Sequence, residues 1–223
     1  MTVLLRRRSD YPRKLLRSKS IFSEAFVTCA TDAAVLGFVL NNRPPAKAPI
    51  LWCQDRVSRL ETGRPYLAGI SASQPLITAD LSRASDVLWA MEDGLRCKTL
   101  GVIIGEVWGD PSALDFTATK RLAMRAEAAG VPCWLIRRAA IPNLSAARER
   151  WRIGSLPSAP NPHDPHAPGH PRWGLDLFRS RYRPPGQWMA TYDRAADRLD
   201  LVATHGDGAM AESDGTAWQR VAG

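Results

Sequence analysis

The chain has 223 residues, 45% of them hydrophobic, and a formal net charge of +8. That length suits one well-filled core, no apolar run approaches the roughly 20 residues a membrane-spanning helix needs, and the basic start lacks a signal-peptide core, so a cytosolic protein is expected. The excess of Lys and Arg, 30 against 22 Asp and Glu, favours an acidic partner such as nucleic acid but says nothing about fold.

Residues 1–20 carry Arg6, Arg7, Arg8, Arg13, Lys14, Arg17 and Lys19 with little apolar periodicity, which predicts a disordered basic arm. Phe22 to Phe26 alternates like a strand, and Thr31 or Asp32 is placed to cap a helix over 33–40 that stops at Asn41 and Asn42, before a linker over 43–49. Ile50 to Cys53 is a short buried-strand run whose carboxyl end turns polar at Gln54, Asp55 and Arg56, the edge where open parallel sheets bind ligands. Leu76 to Thr78 gives a further strand. Ser82 or Ser85 then precedes a helix with Ala84, Val87, Leu88, Met91 and Leu95 on one face.

The clearest unit follows. Leu100 to Ile104 is too short for a helix and suits a strand buried on both faces. Gly109, Asp110 and Pro111 make a turn, Thr117 caps a helix with Ala118, Leu122, Ala126 and Ala129 in register, and Gly130 and Pro132 end it. Val131 to Ile136 is a second buried run. Strand, helix, strand in this order predicts parallel neighbours, hence an α/β fold with a mostly parallel sheet flanked by helices. Cys29, Cys53, Cys97 and Cys133 form no C-x-x-C pair and read as buried free thiols.

Beyond Arg138 the texture changes. Leu144 to Arg152 predicts a short helix or turn, and 157–171 is an exposed Pro- and His-rich loop. Trp173 to Arg181 and Trp188 to Tyr192 alternate around Pro184, Pro185 and Gly186, a hairpin signal, and Leu199 to Ala203 is a last strand. The expected organisation is an arm over 1–20, one domain over 21–204 and a flexible tail over 205–223.

The layout of strands and helices resembles a RecA-like ATPase core. Such cores carry a phosphate loop of the form G-x-x-x-x-G-K-[ST] after the first strand, and here that place reads Val27-Thr28-Cys29-Ala30-Thr31-Asp32-Ala33-Ala34. Glycines, lysine and hydroxyl are all replaced, Ala33 and Ala34 standing where the last two would be, and Asp32 brings a charge that repels phosphate. The metal-positioning aspartate of the family is also missing: the run GVII ends in Gly105, with Glu106 one residue late. Asp55 lies about where the family keeps its water-activating carboxylate, but without the rest of the motif both acids read as polar strand ends.

A nearer resemblance lies in LWCQDRVSRLETGRPYLAGI, LWAMEDGLRC, VIIGEVWGDPSALDFTATKRLAMRAEAAGVPCWLIRR and NLSAARERWRIGSLPSAP. These stretches resemble the ImuA family, RecA-like accessory proteins of bacterial error-prone repair cassettes. The resemblance implies a non-catalytic role in damage-inducible (SOS) translesion synthesis and mutagenesis, in the cytoplasm and at the nucleoid on damage. The implied partners are ImuB, an inactive relative of the Y-family polymerases, an error-prone C-family DNA polymerase, the RecA filament and DNA. A residual ATPase acting on RecA filaments or DNA and a SulA-like cell-division inhibitor remain as alternatives.

Surfaces rather than a catalytic centre are the candidate sites. Arg148, Arg150 and Arg152 before the Pro-rich loop, with Arg172, Arg179, Arg181 and Arg183 after it, are placed for a phosphate track, and Trp173 and Trp188 for stacking on bases. Arg137 and Arg138 end a strand on the ligand edge of the sheet and are candidates for an acidic partner or DNA. A solvated hairpin face with core tryptophans explains the same pattern. His163, His166 and His170 lie at spacings a metal can use, but stiff prolines and the lack of a nearby cysteine argue against a site. No G-x-S-x-G elbow is present. No catalytic, cofactor or metal residue is therefore assigned.

Overall fold

The computed structural model describes residues 21–42, 48–66, 74–193, 195 and 198–204. The predicted arm over 1–20, most of the linker over 43–49 and the predicted tail over 205–223 lie outside them.

Short strands with apolar side chains on both faces must be covered on both faces, and that requirement sets the layers. Strand β1 (Phe22–Val27) turns Phe22 to one side and Ala25 to the other, and β5 (Cys133–Arg138) sends Cys133 and Leu135 one way, Trp134 and Ile136 the other. With β2 (Ile50–Asp55), β3 (Leu76–Leu81), β4 (Val102–Trp108) and β6 (Glu149–Leu156) they form a parallel array. Its antiparallel extension is β7 (Arg172–Ser180), β8 (Gly186–Asp193) and β9 (Arg198–Ala203). The nine-stranded order is β3-β2-β4-β5-β1-β6-β7-β8-β9. As expected for a strand-helix-strand unit, β4 and β5 are parallel neighbours.

Helix α1 (Ala34–Asn41) covers one face, burying Val35, Phe38 and Val39 against Trp52, Trp134, Trp151 and Trp173. On the other face α3 (Ala84–Gly94) and α4 (Phe116–Ala129) bury Val87, Met91, Ala118, Leu122 and Ala126 against Phe22, Ile103 and Leu135. The predicted apolar faces of both helices are therefore the ones that pack. The cap of α4 is Asp115 rather than Thr117, its carboxylate accepting from the Ala118 amide at 2.7 Å, and Gly130 closes the helix with φ 70°.

Several expectations are corrected. β4 does not end at Gly105 but runs to Trp108, so Glu106 lies inside it. The predicted helix or turn over Leu144 to Arg152 is instead a loop entering β6. A seven-residue helix, α2 (Arg56–Thr62), follows β2 unannounced, capped by Asp55. Cys53 and Cys133 are buried thiols, whereas Cys29 and Cys97 are exposed. The 157–171 segment is irregular, crossed by one bridge between Pro160 and Pro168. Among the described residues no helix is long and apolar enough to cross a membrane.

Candidate functional site

The turn from β1 into α1 sits over the carboxyl edge of the sheet, where a phosphate loop belongs in this topology. Here it is filled from within. Arg138, the last residue of β5, is wholly buried, and its Nη1 donates to the carbonyls of Ala30 at 2.9 Å and Asp32 at 3.0 Å. Its Nε donates to Glu106, on β4 and equally buried. Glu106 also accepts from Gln54 Nε2 at 2.9 Å, Trp52 Nε1 at 3.3 Å and Thr62 Oγ1 at 3.4 Å.

The loop's remaining polarity is consumed in the same way. The Asp32 carboxylate accepts from the Ala34 amide at 2.8 Å and from Ser155, amide at 2.6 Å and hydroxyl at 2.7 Å, tying the loop to the end of β6. A phosphate site needs converging N–H groups and net positive charge. This loop turns carbonyls onto an arginine already neutralised by Glu106 and places a carboxylate on the first amide of α1, that of Ala34. Asp55 is likewise structural: it accepts from the Ser58 amide at 2.6 Å and the Trp108 amide at 3.0 Å.

Arg137 and Arg138 are thus not an exposed strand end, because both side chains are fully buried and ion-paired. On the opposite face of β5, Arg137 bonds Asp110 at 2.5 Å and lies 3.8 Å from Glu24, while Arg150 donates to Glu24 at 2.7 Å. Burial pulls the Arg137 pKa down, and the carboxylates of Glu24 and Asp110 oppose that shift. The guanidiniums interleave with rings. Arg137 and Arg150 lie over Phe26 at 5.4 and 5.2 Å, and Arg150 and Arg152 over Phe178 at 5.3 and 4.7 Å.

The other predicted contacts divide. Trp173 is core, stacked on Tyr192 at 5.7 Å, and Trp188 is half-buried against Trp151 at 6.1 Å, so Trp173 in this fold offers no ring for a base. Arg150 is removed from any surface track by its burial beside Glu24. Arg183 pairs with Glu149 at 2.8 Å and lies over Trp151, and Arg172 is half-buried. Arg152 remains at the surface, paired with Asp176 at 3.0 Å.

Arg148, Arg179 and Arg181 do come together. They line a groove of ≈ 420 Å³ with Phe116, Lys120 and Met124 of α4 and the 145–147 turn. Arg148 donates to Glu127 at 2.6 Å, which holds the Glu127 carboxyl below its usual range. Sequence reasoning missed the α4 side of this groove. Its signal is the spacing of Phe116, Lys120 and Met124, which puts two large apolar side chains on a helix stripe beside the core face. Among the described residues no three or more His, Cys, Asp or Glu side chains gather to hold a metal.

No protein-family profile matches the chain. The solved RadB recombinase superposes with a TM-score of 0.52 at 11% identity, covering 78% of this chain and 88% of that one. With the strand order and the loop after β1, this defines a RecA-like α/β domain, a statement about fold alone. Two ImuA proteins of Caulobacter vibrioides, from strains NA1000/CB15N and ATCC 19089/CIP 103742/CB 15, are each 30% identical over 150 residues, 63% of this chain and 59% of theirs. The chain is thus similar to ImuA proteins, and it spans 59% of the length of these curated relatives.

Proposed function

We propose that the protein is a non-hydrolysing, RecA-like accessory protein that holds together a damage-inducible translesion synthesis complex containing an ImuB-type protein and an error-prone C-family polymerase. The observation that carries the reading is the Arg138 side chain bonded to Ala30 and Asp32 in the loop where a RecA-like enzyme binds phosphate. A fold whose nucleotide loop is bridged by its own arginine stays assembled without ligand, which suits a scaffold whose work is done by surfaces. Similarity to the ImuA proteins suggests the biological setting, and the basic residues with exposed or half-exposed side chains, Arg148, Arg152, Arg179 and Arg181, are the proposed contact points for partner or DNA.

Two measurements test this together. Co-expression with the ImuB-like protein is expected to yield a complex that survives purification without nucleotide. Titration with Mg-ATP is expected to show no saturable binding at micromolar concentrations. Micromolar Mg-ATP affinity would instead favour an ATPase, and failure to form the complex would remove the adaptor role.

A further inference from the structure

Within that adaptor reading, on which the following rests, the α4 groove differs from the other arginine clusters among the described residues. The buried arginines are spent on internal acids. At the groove, Arg148 alone is paired, with Glu127, and among the described residues Lys120, Arg179 and Arg181 carry no ion pair. Between these cations lie Phe116, 42% exposed, and Met124, 59% exposed. An apolar bed with a basic rim in excess of its one carboxylate, Glu127, is complementary to one chemistry.

We infer that this groove docks an acidic peptide segment of a partner protein, anchored by a bulky apolar side chain against Phe116 and Met124. The anchor removes both exposed side chains from water, and flanking carboxylates form charge-assisted hydrogen bonds with Lys120, Arg179 and Arg181. A duplex meets the rim through its phosphates but leaves the bed uncovered, and a single strand, whose bases can stack on Phe116, is the competitor to be tested. The groove's ≈ 420 Å³ falls within the roughly 300–1,000 Å³ typical of ligand-sized sites, room for a bulky side chain.

The test uses the full chain. Random peptides displayed on phage are selected on it, and the enriched sequence is synthesised with a fluorescent label for anisotropy. The inference expects enriched peptides rich in Asp and Glu around one aromatic or large aliphatic residue. It expects affinity to fall about tenfold or more in the Arg179→Glu, Arg181→Glu double variant and, separately, in Met124→Asp. Both variants change exposed positions, and an unchanged circular dichroism spectrum and melting temperature establish that they fold. Enriched peptides without acidic residues, affinities that survive both variants, or displacement of the peptide by a thymidine oligonucleotide of about 30 nucleotides would each overturn it. The adaptor reading fails separately: peptide binding as expected together with damage-induced mutation that does not depend on the gene leaves the docking site standing and removes the translesion role.

Discussion

Arg138 at the end of β5 and Glu106 within β4 form an ion pair with no solvent exposure, and through Ala30 and Asp32 it fastens the β1–α1 loop to the sheet. Removing one partner leaves the other charged and buried. Arg138→Ala is therefore expected to lower unfolding free energy by about 3–5 kcal/mol in urea titration. Replacing both, Arg138→Met with Glu106→Leu, removes the charges together and is expected to restore only part of that loss, because the Trp52 and Gln54 donors and the Ala30 and Asp32 carbonyls lose their partners. Equal stability of the single variant and the wild type would mean that the pair does not hold the loop.

The tryptophan earmarked by its sequence position for base stacking is structural. A Cβ on Gly37 of α1 would come within 2.5 Å of the Trp173 ring, a rigid neighbour already stacked on Tyr192. Gly37→Ala is expected to cost about 1–3 kcal/mol through overpacking, and Trp173→Ala about 3–5 kcal/mol through the cavity it leaves. Denaturant midpoints check both.

Thiol chemistry should separate the four cysteines. Cys53 is pushed up to about 12 by burial, and Cys133 is raised by burial and by its neighbour Cys53, whereas a hydrogen bond with Thr99 lowers the Cys97 pKa. In native protein an exposed-thiol reagent is expected to label Cys29 and Cys97 and spare Cys53 and Cys133 until the chain unfolds. The Cys97 rate should rise with pH to a plateau through a midpoint below the ordinary thiol value, and Thr99→Val should move that midpoint up.

The same burial has a stability consequence. A folded pKa raised above the unfolded one means that the neutral thiol is favoured in the fold. The stabilisation is complete below the unfolded value and is lost as pH rises from there toward the folded one. Stability to urea is thus expected to decline from about pH 9 upward by as much as about 1.4 kcal/mol per pH unit for each buried thiol. The Cys53→Ala variant should show a shallower decline.

The parallel core was legible because its signals are apolar and local: the Ile103–Ile104 run, the Leu122–Ala126 stripe and the Gly130 stop all appear where expected. β6 was not, because Glu149, Arg150 and Arg152 interrupt its apolar pattern. Glu149 and Arg150 are in fact buried, through Arg183, Glu24 and the rings of Phe26 and Phe178. Polarity in a sequence reports exposure only when the charge has no partner inside, and partners more than a hundred residues apart, as Glu24 and Arg150 are, leave no local trace. The loss of the phosphate-loop residues was readable, but the arginine that fills the loop was not, since only the fold brings β5 beside β1. The groove was half legible: Arg148, Arg179 and Arg181 stood out by charge, while Lys120, Phe116 and Met124 lie off the core stripe that marks their helix and carry no signal of their own.

The central claim is that this fold serves induced mutagenesis as a scaffold. The most direct measurement is the ultraviolet-induced mutation frequency of a strain lacking the gene, beside strains complemented with the wild type and with the Arg179→Glu, Arg181→Glu variant. The deletion is expected to lose induced mutation, the wild type to restore it and the variant to fail. An induced frequency unchanged by the deletion would contradict the account.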